Sequence, residues 1–349
     1  MKIGVLLSGG VDSSVALKLL KDQGHDITAF YLKIWLEDDL SFLGQCPWQE
    51  DLKYVHAVCK QLDVPLRIIN MQKEYRDRIV SYTISEVKDG RTPSPDIFCN
   101  KRIKFGAFFE KIADDFDKIA TGHYAIIEEV DGKFLLKKAK DKFKDQTYFL
   151  SHLNQEQLSK LLFPIGHLKK DEIRNLAKKF NLPNAQRKDS QGICFLGKIK
   201  FSDFIKHHLG IKRGDFIEFE TGKKIGEHQG FWYYTIGQRK GMGLSGGPWY
   251  VVSKDTKNNV VYISNKYYNQ DKERKLFYVA DFNWIDKKPK DLNLDVKIRH
   301  GQHCYKSQLE FYNNNEAKVT LNASDQGLAP GQFAVFYKGD VCLGCGKIK

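Results

Sequence analysis

The stretch IGVLLSGGVDSSVALKLL, residues 3–20, constrains the fold more than any other part of the chain. Ile3, Val5, Leu6 and Leu7 form a short apolar run of the kind a buried parallel strand shows. From Ser13 onward Val15, Ala16, Leu19 and Leu20 recur at helical spacing, and Gly24 stands where that helix should stop. The glycine-rich segment between them is therefore a strand-to-helix turn. Backbone N–H groups at such a turn point outward at the positive end of a helix, which suits phosphate. Glycine admits a close approach, and Ser8, Ser13 and Ser14 add hydroxyl donors. The Walker pattern G-x-x-x-x-G-K-[ST] does not fit, because no lysine follows the glycines, and G-x-G-x-x-G is also absent.

The first half of the chain alternates strand and helix. Strands are expected at 2–8, 26–35, 65–70 and 118–124, and helices at 13–23, 49–62, 72–88 and 100–114, with further helical patterns at 154–162 and 169–180. That alternation predicts a doubly wound parallel sheet covered on both faces. Asp131-Gly132 lies between two strand-like runs and predicts a β-hairpin. After about residue 200 a short helix precedes a stretch rich in glycine and aromatics. Strands broken by Asn, Gly and Asp turns then follow. The expected class is α/β, with a small β-rich central domain and a C-terminal β-barrel. The expected bounds are 1–200, 201–267 and 268–349.

A formal net charge of +13 favours an anionic partner, nucleic acid first. No apolar stretch is long enough to span a membrane, and the first residues read as a strand rather than a signal peptide. The expected location is cytoplasmic. Seven cysteines in such a chain should be mostly reduced thiols.

Two of those cysteines sit in distinctive surroundings. In GRTPSPDIFCNKRIKF, residues 90–105, two prolines force an extended turn before a helix. Asp96 precedes Cys99 by three residues, and Lys101, Arg102 and Lys104 follow it. A cysteine near a helix start and close to cations has a lowered pKa, and a nearby carboxylate can move a proton. In KDSQGICFLG, residues 188–197, Cys194 sits in an irregular loop. Either cysteine alone reads first as an ordinary buried thiol. Together they form a pair able to carry and release sulfur through a mixed disulfide.

The string Ser8-Gly9-Gly10-Val11-Asp12-Ser13 resembles the PP-loop of ATP pyrophosphatases. SGGVDS, GRTPSPDIFCN, TGHYA, KDQTYFL, DSQGICFLG and TIGQRKGMGL occur in that order. Together they resemble the bacterial tRNA-specific 2-thiouridylases over nearly the whole chain. The resemblance implies an adenine-nucleotide hydrolase-like first domain and the cofactors ATP and Mg2+. It implies thiolation of the wobble uridine of tRNA at C2. ATP contacts would fall to Leu7, Ser8, Gly9, Gly10, Val11, Asp12, Ser13, Ser14, Leu32 and Gly122. Asp12 would help hold magnesium or cap the helix. Cys99 would be the nucleophile and Cys194 the persulfide carrier. Asp96 would be the acid/base or a cap of the helix that follows. Ser94, Pro95 and Asp96 would meet the target base. His123, Lys144, Asp145, Gln146, Arg299, His300 and Gln332 would meet tRNA, with a core role for His123 as the alternative. Ser94 and His300 stand where this family usually has asparagine and often has tyrosine.

By the same resemblance the partners are tRNAs for glutamate, glutamine and lysine. A persulfide donor or sulfur-relay protein fed by a cysteine desulfurase would supply the sulfur. A monomer is the default. A PP-loop enzyme that adenylates a small molecule would account for the loop but not for the two cysteines. Cys342 and Cys345 do not make a zinc set without further ligands, and no protein-bound metal site or iron–sulfur cluster is expected.

Overall fold

The computed structural model describes residues 1–34, 48–112, 115–189, 199–266, 274–325 and 327–349. Cys194 lies outside the described residues.

The chain opens with β1 (Lys2–Leu6), α1 (Val11–Asp22) and β2 (Asp26–Lys33), then α2 (Trp48–Leu62) and β3 (Leu66–Asn70). A helix over 72–88 follows and contains a π-helical turn, Arg76–Val80. The next helix, α4, begins at Pro95–Phe98, passes through a π-helical stretch at Cys99–Ala107 and ends at Phe108–Ile112, with a kink at Phe105. β4 (Lys118–Thr121) and the two-residue β7 (Leu161–Leu162) complete a five-stranded sheet ordered β3-β2-β1-β4-β7. Every pairing in it is parallel. Ile3, Val5, Val15, Ala16 and Leu17 are fully buried between sheet and helices, as their apolar spacing requires.

β4 ends three residues before the expected 124. Gly122 there turns the chain against the start of α1, where a Cβ would stand 2.6 Å from the Ser13 amide nitrogen. The expected hairpin forms as β5 (Ala125–Val130) and β6 (Lys133–Lys138). Asp131 and Gly132 take φ of +50° and +72°, the left-handed pair that a two-residue turn of this type needs.

Two β-rich units follow α8 (Phe201–Leu209). Strands β8 (Gly214–Glu218), β9 (Lys224–His228), β10 (Tyr250–Asp255) and β11 (Val260–Ser264) form a four-stranded sheet ordered β10-β11-β8-β9. Six further strands, β12 (Leu276–Trp284), β13 (Asn293–Lys297), β14 (Tyr305–Phe311), β15 (Glu316–Leu321), β16 (Phe333–Lys338) and β17 (Val341–Ile348), run in the order β12-β15-β14-β13-β16-β17. The pairing of β12 with β17 closes them into a barrel. The β5–β6 hairpin joins this barrel, since Lys137 and Leu136 pair with Val341 and Cys342 of β17. The hairpin thus fastens the parallel-sheet domain to the far end of the chain. Among the described residues no helix is long and apolar enough to cross a membrane.

Candidate active site

The phosphate loop lies between β1 and α1. Gly9 has φ +77°, and a Cβ there would meet the Asp51 carbonyl at 2.7 Å, so the position needs glycine. Gly10 is the N-cap residue and its carbonyl accepts from the hydroxyls of Ser13 (3.1 Å) and Ser14 (3.0 Å). The Ser13 Oγ also receives the Ser8 amide at 3.2 Å. Asn184 braces the loop from outside, donating to the Gly9 carbonyl and to Ser14 Oγ, both at 2.8 Å. These bonds fix the loop while the first amides of α1 stay free of helical partners. Val11 is buried, Leu7 continues β1 by donating to the Phe30 carbonyl at 2.8 Å, and Leu32 is half-buried at the end of β2. Gly122 closes the opposite wall.

Asp12 does not cap the helix. Lys170, at the start of α7 (Lys170–Lys179), donates to both its oxygens at 2.7 and 2.9 Å, and the Tyr124 hydroxyl donates to Oδ1 at 2.8 Å. Oδ1 thus takes two donors and Oδ2 one, which leaves an acceptor position on Oδ2, and Asp12 is the residue that would hold magnesium in the role the resemblance implies. Among the described residues no group of three or more His, Cys, Asp or Glu stands ready for a metal.

The second cluster centres on Cys99, which is buried at the start of the π-helical stretch of α4. Its amide donates to the Asp96 and Pro95 carbonyls. Ser94, half-buried, is the N-cap residue without a side-chain cap bond, and its amide donates to the Tyr82 hydroxyl at 3.2 Å. Pro95 occupies the first turn, where its missing N–H costs nothing. Asn100 donates to the Phe149 carbonyl at 3.1 Å and accepts from Lys104 at 3.1 Å. The Phe149 ring stacks on His300 at 4.5 Å, with an interplanar angle of 28°. Asp96 is close enough to His300 to bear on its charge. The structure therefore brings Asp96, Cys99, Phe149 and His300 into one neighbourhood, although they span some 200 residues of sequence.

The other residues that the resemblance gives to tRNA lie in several surroundings. Arg299 is exposed and paired with Asp325, which also accepts from Tyr305 at 2.6 Å. Asp145 is buried, with Lys297 at 3.2 Å and the Thr147 hydroxyl at 2.9 Å, so its carboxylate shapes the segment rather than facing outward. Gln146 accepts from the Tyr124 amide at 2.9 Å through Oε1. Lys144 pairs with Asp189 at 2.8 Å. Gln332 is half-buried in a turn that rests on residues 91 and 92, where the Thr92 amide donates to the Pro330 carbonyl at 2.7 Å. His123 lies between Phe105 and Phe163, its Nδ1 2.7 Å from the Thr121 hydroxyl. Burial, with Lys104 nearby, holds it well below the usual histidine range. The residue itself is half-buried, with its Nδ1 satisfied inside the protein.

Cys342 and Cys345 are buried in β17, and burial pushes Cys345 up to about 12. Sequence reasoning missed Lys170, Arg174, Asn184 and Arg187, the last paired with Asp51 beside Gly9. Lys170 and Arg174 stand on a helix whose polar pattern looks like any solvated face, so no local signal marked them. Tyr124 and Asp189 fell inside recognised motifs without drawing notice.

Three family profiles match in succession. They are described as a tRNA methyl transferase HUP domain over residues 1–198, a tRNA methyl transferase PRC-barrel domain over 202–265 and an aminomethyltransferase beta-barrel domain over 274–348. Over its full length the chain is 47% identical to the tRNA-specific 2-thiouridylase MnmA of Parabacteroides distasonis, covering 99% of that protein. The chain belongs to the tRNA-specific 2-thiouridylase family. Thiouridylases of Bacteroides thetaiotaomicron and Porphyromonas gingivalis are each 44% identical, again over all of this chain and 99% of theirs. Among solved structures, a 4-thiouridine synthetase–RNA complex with bound ATP is 17% identical with a TM-score of 0.34, covering 60% of this chain and 50% of that one. That likeness is too distant to bear on this site. As a member of the thiouridylase family the chain is a sulfurtransferase.

Proposed function

We propose that this chain uses ATP to replace O2 of the wobble uridine in tRNA with sulfur. The observation that carries the reading is the pairing of full-length thiouridylase similarity with a phosphate loop built on a parallel sheet. The described cysteine neighbourhood, Asp96–Cys99 beside Phe149–His300, supports it.

The loop amides and hydroxyls at 8–14 hold the nucleotide phosphates, and Gly122 leaves room for them. The base is turned out of its stack to reach Asp96 and Cys99, as base-modifying enzymes require. O2 attacks the α-phosphorus and pyrophosphate leaves, giving an adenylated pyrimidine with a good leaving group at C2. A relay fed by a cysteine desulfurase has loaded Cys194 as a persulfide. Either its terminal sulfur attacks C2 directly and the Cys99 thiolate then attacks Cys194 Sγ, breaking the S–S bond to free the thiolated base and leaving a Cys99–Cys194 disulfide, or the Cys99 thiolate first attacks the Cys194 sulfur, forming that disulfide and releasing hydrosulfide that attacks C2. AMP then departs with the original oxygen, and in either branch any disulfide is reduced by an external thiol. The glutamate, glutamine and lysine tRNAs are the expected substrates. In this reading residues 1–200 carry the chemistry, while 201–267 and 268–349 grip the RNA. The chain works as a monomer in the cytoplasm.

The test is mass analysis of nucleosides from unmodified tRNA incubated with the chain, ATP, magnesium and a persulfide donor. New 2-thiouridine supports the reading. ATP cleavage without any 2-thiouridine overturns it.

A further inference from the structure

The phosphate loop has no lysine of its own, yet it carries Asp12 in the first turn of α1. A carboxylate there repels the polyanion the loop is built to receive. Lys170 answers that charge. Its side chain is 13% exposed, and its ammonium lies 2.7 Å from Asp12 Oδ1 and 2.8 Å from Asp189 Oδ1. The Tyr124 hydroxyl adds a donor to Asp12 at 2.8 Å, and burial together with the Asp12 charge raises that phenol, so it stays protonated.

The same lysine is anchored at its backbone. Its amide donates to Asp141 Oδ2 at 2.9 Å, while Asp141 Oδ1 accepts from the amides of Phe143 (3.0 Å) and Lys144 (3.2 Å). Asp189 is further tied to Lys144 at 2.8 Å and to Arg174. Lys170, Lys144 and Arg174 thus offset the carboxylates of Asp12, Asp189 and Asp141, three charges against three beside the loop. Asp189 stands five residues before Cys194 in the sequence.

We propose that Lys170 is the positioning residue of the phosphate loop, cancelling the Asp12 carboxylate and tying it to Asp189 so that the loop meets ATP without an uncompensated negative charge. The inference rests on the reading that this loop holds ATP. Lys170 touches neither substrate nor reacting atom in this role. It acts through Asp12.

The test is calorimetric titration of the full chain with ATP in magnesium buffer, without tRNA. Lys170→Met raises the Kd for ATP at least tenfold. Adding Asp12→Asn to it recovers at least threefold, because the orphaned charge is gone, and a purely structural lysine would show no such recovery. An unchanged Kd in Lys170→Met overturns the proposal. So does a double variant that binds no better than Lys170→Met, which would make Asp12 a direct ligand of the metal–nucleotide complex. Should Lys170→Met not fold, the double variant is compared with Asp12→Asn alone. Affinities within threefold support the proposal, and a tenfold loss in the double variant overturns it. A wild-type chain that binds no ATP defeats the underlying reading itself. Wild-type binding with unmoved variants defeats only the role of Lys170.

Discussion

Gly122 and Ser13 touch across the nucleotide site: a Cβ on Gly122 would stand 2.6 Å from the Ser13 amide nitrogen and 2.8 Å from its Cα. The end of β4 is thereby pressed onto the first turn of α1, and the phosphate loop has its shape only while that contact is bare backbone.

Gly122→Ala therefore pushes the loop out of register. Overpacking of this kind costs about 1–3 kcal/mol. If about 1.4 kcal/mol of that falls on the nucleotide-bound state, the KM for ATP rises about tenfold. Steady-state AMP release at varied ATP checks it, and an unchanged KM would show that the loop is not the nucleotide site.

Cys99→Ser and Cys194→Ser each abolish thiolation while ATP and tRNA still bind. Cys99 is buried, and serine is close to it in volume, so the fold should survive. Nucleoside analysis and filter binding on the same preparations separate the two effects. Retained 2-thiouridine in either variant removes that cysteine from the sulfur relay.

His300 stacks on Phe149 and is itself exposed, which leaves its outer face open to a base. Base stacking on such a side chain contributes about 1–3 kcal/mol, so His300→Ala should weaken tRNA binding about tenfold. His300→Tyr should keep or improve it. ATP affinity should move in neither. Equal tRNA affinity for all three chains would place the RNA elsewhere.

His152 gives the protein an acid-sensitive joint. Its Nδ1 lies 2.7 Å from the Lys101 ammonium, and burial together with Lys101 lowers its pKa from 6.5 to about 4. A histidine depressed in the folded state is protonated first in the unfolded chain. The stability it preserves is complete above about pH 6.5 and is lost as pH falls toward 4. The full shift corresponds to at most about 3 kcal/mol. Urea unfolding between pH 7 and 4 should show this slope, and His152→Gln should flatten it. An identical slope in the variant would assign the acid loss to other groups.

The parallel sheet and the phosphate loop were legible because local chemistry decides them. Apolar runs such as Ile3–Leu7, the Ser8–Ser14 turn and the Asp131-Gly132 hairpin each carry their own instruction. The hairpin's docking was not legible, since Leu136 meets Cys342 only once the barrel has closed. The Lys170 bridge was hidden for the same reason: Asp12, Lys170 and Asp189 become neighbours only through the packing of α7 on α1. The place of His300 beside Cys99 depends on Phe149, which no spacing rule joins to either. What a single segment dictates could be read from the chain. What three distant segments build together could not.

The central claim is that ATP activates the uracil oxygen itself. A tRNA carrying 18O at O2 of the wobble uridine, incubated with ATP and a persulfide donor, tests it directly. The account predicts one labelled oxygen in the phosphate of each AMP released, matched by one 2-thiouridine formed. Unlabelled AMP alongside 2-thiouridine would contradict it.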